Sequence, residues 1–479
     1  MSSISLRDYQ QLGIDRVYDG FRNGGKRVIY WLQTGGGKSV VFSKMIEDAV
    51  KHDMHVVLCV RRRTLIKQAS NHLDKWGIPH GVYMANHYRF QPKQKVQICS
   101  IDTLSAREIY PHEDKENTMV IIDESHDCTP RGKKYSRLVD RYSNKYIVGF
   151  TATPFSDNSL FEGIVNPISA HELRDSGYLV PDRTFVPNIV DVSDVKRKRN
   201  GDYNEQELFE ACSKSEVVGS FVDDWKKYSG GRPTILFAVN VEHSKIICEE
   251  FQRQGIRAEH HDAKSSDKQR SSAVERLGRG ELSILSNVDI FSTGLDAPFV
   301  SCIQLCRPTQ SIIWHLQAIG RGLRPDKGSE KQNCVVIDNA GNTLRHGSVY
   351  KVREASIGKS SKKKSDEDLE DISIRACKRC SYIFEATQKI CPDCKYINPP
   401  VERKINHIDG ELVEYNMTPE EIKIMKRASM IADFHKLSFV SKKRGLATMW
   451  IYHTINKKYD KELLLEYGSE INFPLELLT

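Results

Sequence analysis

No stretch of the 479 residues approaches the ~20 consecutive apolar side chains that a membrane-spanning helix needs. An integral helical membrane protein is therefore excluded. The opening residues, Met-Ser-Ser-Ile-Ser-Leu-Arg-Asp, lack the basic-then-apolar layout of a secretion signal. The expected location is cytoplasmic, in a reducing compartment, where twelve cysteines do not make a disulfide framework. Internal repeats are missing too. With 39% hydrophobic and 28% charged residues, the composition is that of a globular chain rather than a disordered one. An excess of charge of one sign is lacking, the net value being only +8. It matters where it clusters, at Arg61-Arg62-Arg63, Lys196-Arg197-Lys198-Arg199, Lys362-Lys363-Lys364 and Lys442-Lys443-Arg444. Such clusters lean towards a polyanionic partner.

What is present is a chain too long for one core. Short apolar runs alternate with stretches of helical length from Lys26 to about Ile337: Val28–Leu32, Val56–Val60, Val96–Cys99, Met119–Ile122, Tyr146–Phe150, Thr234–Val239, Ser283–Leu285, Val300–Leu305 and Cys334–Ile337. Runs of this kind read as buried parallel strands. The interval between Pro154 and Pro233 reads as connector plus lead-in helices. The fold class is α/β, with two tandem parallel-sheet domains over 1–180 and 181–345. A polar linker follows over 346–373, then a four-cysteine module over 374–399. The last segment, 400–479, is read as mostly helical, with Thr418-Pro419-Glu420-Glu421 as a well-capped helix start.

The first apolar run leads into Gln33-Thr34-Gly35-Gly36-Gly37-Lys38-Ser39 and then a helical stretch. Glycines let backbone N–H groups turn towards a triphosphate, and the helix N-terminus adds its dipole. Lys38 would reach the β- and γ-phosphates and Ser39 would ligate Mg²⁺. The pattern G-x-x-x-x-G-K-[ST] wants glycine at position 32, where this chain has Leu32. A second apolar run ends in Asp123-Glu124-Ser125-His126. Asp123 would hold the metal, and Glu124 would orient and deprotonate the attacking water. Cys377-Lys378-Arg379-Cys380 and Cys391-Pro392-Asp393-Cys394 are two C-x-x-C knuckles. Their spacing suits one structural Zn²⁺ with no open position for catalysis. Lysines and arginines around them suggest contact with nucleic acid, and docking to protein is nearly as well supported.

Asp-Glu-Ser-His resembles the DEAD/DEAH box of superfamily 2 helicases, and further motifs stand in that family's order. These are Leu6-Arg7-Asp8-Tyr9-Gln10, Gly149-Phe150-Thr151-Ala152-Thr153-Pro154, Ser292-Thr293-Gly294-Leu295-Asp296-Ala297-Pro298 and Gln317-Ala318-Ile319-Gly320-Arg321-Gly322-Leu323-Arg324. The resemblance spans about Leu6–Asn342 and is strongest to RadD-like DNA-repair helicases of bacteria and to related phage and bacterial helicases. It implies two RecA-like domains, ATP and Mg²⁺ as cofactors, and DNA as partner, with replication or repair proteins reached through the zinc module or tail. It also leaves open that the chain is phage-encoded and works beside the genome in the host cytoplasm.

By that resemblance Gln10 contacts the base edge with Arg7 assisting. Thr34, Gly35, Gly36, Gly37, Gly294 and Asp296 join the nucleotide site, and Gln317, Arg321 and Arg324 complete the catalytic set, Arg324 as the finger. Arg321 and Arg324, three apart on an expected helix, would share one face. His126, Thr151 and Thr153 would couple hydrolysis to the strand. Arg61, Arg62, Thr64, Thr103, Asn240, His243, Ser292 and Thr293 would hold nucleic acid. The activity expected is ATP-driven movement on, or remodelling of, DNA. The rival readings are an RNA helicase, the motor subunit of a restriction-type complex, and a non-catalytic nucleic-acid-binding adaptor.

Overall fold

The computed structural model describes residues 5–358 apart from 62, 85–86, 199–200, 292–295 and 327, then 374–399. In the C-terminal segment it describes 423, 426–427, 430–431, 433–435, 437–438, 441, 448–459 and 461–474. The chain divides into two units, Met1–Val401 and Glu402–Thr479.

In the larger unit the apolar runs are strands covered by helices. The first group is β1 (Arg27–Trp31), β2 (His55–Val60), β3 (Gly81–Tyr83), β4 (Val96–Ser100), β5 (Thr118–Asp123), β6 (Tyr146–Thr151) and β7 (Gly163–Val165). They form one sheet in the order β3-β4-β2-β5-β6-β1-β7, with every adjacent pair parallel. The second group is β8 (Asp182–Phe185), β9 (Thr234–Phe237), β10 (Ala258–His261), β11 (Ile284–Asn287), β12 (Cys302–Leu305) and β13 (Cys334–Asp338). These give a sheet ordered β10-β11-β9-β12-β13-β8, again parallel throughout. Continuous apolar strands such as Val56–Val60 are buried almost end to end because both faces of a parallel sheet are covered. Aromatic packing fills the space between sheet and helix: Tyr30 stacks on Phe150 at 5.1 Å, and Phe42 meets Phe150 edge-on at 5.9 Å.

The interval read as a connector holds two strands, β7 and β8, which close one edge of the first sheet and one edge of the second. Both are short and lack a continuous apolar run, so periodicity does not flag them. Among the described residues no helix is long and apolar enough to cross a membrane.

The cysteine module is a hairpin of β14 (Ile374–Ala376) and β15 (Ile383–Glu385). It lies against β8. Tyr382 makes an antiparallel bridge to Phe185, Val186 N–H donates to the Ser381 carbonyl at 2.9 Å, and Arg183 pairs with Asp393. Phe185 is held between the rings of Tyr382 and Tyr228, at 5.6 and 4.6 Å. The module thus covers an otherwise open sheet edge, a place where unpaired strands invite aggregation.

The smaller unit contains the helices Thr448–Lys458 and Lys461–Tyr467 around a core of Met430, Ile451, Ile455, Leu463, Leu464, Ile471 and Phe473. The helix start expected at Thr418 lies outside the described residues.

Candidate active site

Open parallel sheets bind ligands beyond the carboxyl ends of their strands, and the motif residues collect there. β1 ends at Trp31, and the loop that follows feeds the helix Lys38–Lys51. Gly35 and Gly37 take φ of 89° and 88°, the left-handed region that other residues enter at a cost. Space is equally restrictive. A Cβ on Gly37 would sit 2.6 Å from Gln10 Nε2, and one on Gly35 would sit 2.7 Å from Leu179 Cδ2. Leu32, where the motif pattern wants glycine, is fully buried and supports the loop from below; a Cβ on Gly36 would meet its Cγ at 2.7 Å.

Gln10 is 2% exposed. Its amide donates to the Gly36 carbonyl at 3.2 Å and its Oε1 accepts from Arg7 N–H at 3.0 Å. Tyr9 hydroxyl donates to the same carbonyl at 2.7 Å. Gln10 therefore braces the loop from beside Gly37, whose added Cβ would meet its amide. Arg7 does line the cleft, with its guanidinium 4.1 Å from the centre of the Tyr178 ring. Sequence reasoning missed Tyr178, which lies in the connector with no motif around it.

β5 delivers Asp123 to the same place, and Glu124 follows at φ 53°. Burial and the neighbouring Glu124 raise the Asp123 pKa above the usual carboxylate value, against Lys38. Burial would raise Glu124 too, but Lys38, His126 and Arg321 outweigh it and hold it low. His126 Nδ1 lies 3.4 Å from Glu124 Oε2 and 3.3 Å from Thr151 Oγ1, and Thr151 Oγ1 accepts from Thr153 N–H at 3.0 Å. A chain of contacts so runs from the acidic pair to the fully buried Thr151 and Thr153.

The second sheet completes the cleft. The helix Ile312–Gly320 stops at Gly320, so Arg321 and Arg324 do not share a helix face as expected; the turn after the helix carries both into the cleft. Arg321 is 6% exposed, and burial, with Arg324 beside it, pushes its pKa down to about 9 despite Glu124 and Asp296. Arg324 donates to Asp296 Oδ1 at 2.8 Å. The halves meet closely: Val180 N–H donates to the Leu323 carbonyl at 2.9 Å, and a Cβ on Gly320 would lie 2.8 Å from Thr34 Cβ. The resulting cleft, about 780 Å³, is walled by Thr34, Lys38, Ser39, Asp123, Glu124, Asp296, Arg321 and Arg324, among others. A smaller cavity of about 310 Å³ adjoins Glu124 and contains Gln317, Arg61 and Trp314.

Ser39 and Asp123 are oxygen donors that fit a divalent cation. A carboxylate driven towards protonation by burial and a like charge is stabilised by one. The four sulfurs of Cys377, Cys380, Cys391 and Cys394 lie within 4.8 Å of one another, with two pairs at 3.6 Å. Tetrahedral zinc–thiolate bonds of ~2.3 Å place sulfurs roughly 3.8 Å apart, so this set fits Zn²⁺. Arg379 N–H and the buried Asn398 amide point at Cys377 Sγ, at 3.4 and 3.5 Å. These are the donors that support a thiolate.

The expected nucleic-acid contacts fare unevenly. Arg61 is exposed and paired with Asp127 at 2.5 Å, and Thr103 is half-buried on the helix Ile101–Arg107. Asn240 caps the helix Val241–Arg253 by accepting from His243 N–H at 2.8 Å. His243 is wholly buried, edge-on to Phe209 and Phe221, so its ring cannot touch a strand. Its spacing after a strand was right, but the ring turns inward to accept from Val239 N–H at 3.2 Å. Arg62, Ser292, Thr293, Gly294 and the side chain of Thr64 lie outside the described residues.

Residues 3–156 match the model of the family described as type III restriction enzyme, res subunit. Residues 213–326 match the helicase conserved C-terminal domain. The chain is 27% identical over 413 residues to a 51.5 kDa protein of a Lactococcus phage, covering 84% of this chain and 85% of that one. It is 28% identical over 364 residues to Saccharomyces cerevisiae IRC3, described as an ATP-dependent helicase, covering 71% of this chain and 52% of the yeast protein; it thus spans about half of that relative. Among solved structures it is similar to a fragment described as the HsdR subunit of a type I restriction enzyme from Vibrio vulnificus. The TM-score is 0.56 at 18% identity, covering 71% of this chain and 65% of that one.

Proposed function

We propose, from the premise that the chain belongs to the superfamily 2 helicases, that its nucleic-acid track is DNA and that hydrolysis in the cleft drives movement on it or remodelling of it. The carrying observation is that Lys38, Asp123 and Glu124 from one sheet face Arg321 and Arg324 from the other across a single cleft.

In this reading Lys38 and the loop N–H groups hold the phosphates, and Ser39 with Asp123 would hold Mg²⁺, which supplies charge neutralisation at the β- and γ-oxygens. Glu124, kept ionised by Lys38, His126 and Arg321, accepts a proton from water. Arg321 and Arg324 meet the charge that gathers on the transferred group. Because those arginines belong to the second domain, closing the cleft assembles the site and opening it dismantles it. DNA rather than RNA is supported by the likeness to restriction-enzyme motors. Contacts made through hydroxyls and arginines at loop ends bind backbone without reading sequence, and weaken with salt.

The test measures ATP turnover with single-stranded, duplex and forked DNA and with RNA, alongside strand separation. DNA should stimulate turnover, and Glu124→Gln should abolish it. Stimulation by RNA alone would overturn the DNA assignment, and no stimulation by any nucleic acid would overturn the motor. The family match over 3–156 also favours a second reading, the motor subunit of a restriction-type assembly; its signature would be DNA cleavage in the presence of a co-purifying subunit.

A further inference from the structure

The cavity beyond Glu124 has a wall that the hydrolysis site does not need. Trp314 lies one helical turn before Gln317 on the helix Ile312–Gly320, and both line this cavity with Glu124 and His126. The Trp314 ring is held on three sides. Its indole N–H donates to Asp289 Oδ1 at 2.7 Å, the Arg307 guanidinium covers it at 5.0 Å, and Phe237 meets it edge-on at 5.4 Å. Arg307 donates to the same Asp289 oxygen at 2.6 Å. Asp289 follows β11 at φ 56°, a left-handed conformation that a non-glycine residue keeps only when its surroundings fix it. In sequence it stands just before Ser292 and Thr293, the pair that the family likeness assigns to nucleic acid. On the opposite wall stands Arg61, paired with Asp127, two residues beyond the His126 neighbour Ser125.

We propose that Asp289, Arg307 and Trp314 form a tether through which DNA engagement sets the position of Gln317 against Glu124. Trp314 is a positioning residue: it lines the adjoining cavity and not the phosphate-loop cleft, and it acts through its helix. A rigid aromatic fixed at its N–H and its face passes a shift of Asp289 to the next turn of the helix rather than absorbing it. Gln317 is the group such a shift reaches, and its Nε2 is buried without a hydrogen bond among the described residues. That amide is therefore held in place by its helix and not by partners of its own. The inference rests on the DNA-motor reading above.

The test compares Trp314→Phe, Asp289→Ala and Asp289→Asn with the parent, all as full-length protein. Phe keeps the ring and loses the N–H; Asn keeps an acceptor for the indole; Ala keeps nothing. Turnover without DNA and the KM for ATP should stay within about twofold of the parent for all three. The DNA-stimulated kcat should fall about tenfold in Trp314→Phe and Asp289→Ala, and less than threefold in Asp289→Asn. DNA affinity, measured by fluorescence anisotropy of a labelled oligonucleotide, should change little. Full stimulation of Trp314→Phe, or a parallel loss of basal turnover and ATP binding, would overturn the tether. A parent that no nucleic acid stimulates would overturn the motor reading instead, so the two failures are distinct.

Discussion

Restoring the glycine that the phosphate-loop pattern wants at position 32 should damage the protein. Leu32 is fully buried, its N–H donates to the Thr151 carbonyl at 3.0 Å, and its side chain packs against Gly36 closely enough that a Cβ there would clash at 2.7 Å. Emptying a filled core site from leucine to alanine costs ~2–5 kcal/mol. Going on to glycine in an extended segment adds roughly 0.5–1 kcal/mol of backbone entropy. Leu32→Gly is therefore expected to lose about 3–6 kcal/mol from the first domain. Leu32→Met, which conserves volume, should lose less than about 1.5 kcal/mol. Urea unfolding followed by tryptophan emission reports on this directly, because Trp31 is the neighbouring residue and its indole N–H donates to the Ala152 carbonyl at 3.1 Å. The loop resting on Leu32 should loosen as well, raising the KM for ATP in Leu32→Gly at temperatures where the domain stays folded. A glycine variant as stable as the parent, with an unchanged KM, would refute the reasoning: Leu32 would then be a tolerated departure and not the floor of the loop.

Three further outcomes are expected. Arg324→Ala should lower turnover by ~10³–10⁵-fold with a much smaller change in KM; a loss below tenfold in steady-state assays would remove it from the finger role. The second domain should weaken in acid. The buried His243 has its pKa pushed down to about 4 from an unfolded value of about 6.5, so below pH 6.5 the unfolded chain binds a proton that the fold refuses. Stability is complete above pH 6.5 and falls until about pH 4, by up to about 3 kcal/mol for this group. A urea midpoint that stays flat from pH 7 to 5, or a slope unchanged in His243→Gln, would contradict this. Cys391→Ser should abolish bound zinc in metal analysis and make the sheet edge at β8 accessible to hydrogen exchange; retained zinc would show that the four sulfurs do not act as one site.

Much of this architecture was legible in the residues because parallel strands buried on both faces leave continuous apolar runs, as at Val56–Val60 and Val120–Ile122. β8 was not, since Asp182-Arg183-Thr184-Phe185 carries charge at its start and draws its ladder from β13 and its outer bridge and cover from the cysteine module. The loop glycines and the acidic pair announced themselves because a phosphate cradle needs particular residue types at particular steps. Tyr178 had no such signature. Its contact with Arg7 depends on where the connector returns, which tertiary packing decides. His243 shows the opposite failure: spacing after β9 pointed to the surface, while the nearby Phe209 and Phe221 made an inward ring more favourable. Gln10 lies between these cases. Its motif implied a base-edge contact, while its amide grips the backbone of the phosphate loop at Gly36.

The close approach of Gly320 to Thr34, and of Gly35 to Arg324, where an added Cβ would lie 2.8 Å from Thr34 Cβ and 3.3 Å from Arg324 Cγ, makes the seam between the halves a mechanical gauge. With no room for a single methyl group, contact at the seam reports closure to a fraction of an ångström. A nucleotide that holds the halves slightly apart would leave the arginines short of their target, much as a worn key fails to lift the last pin. Tolerance in such a device is set by the parts that are missing, so a variant that enlarges either glycine should behave as a lock jammed ajar, its chemistry intact on each side and never brought together.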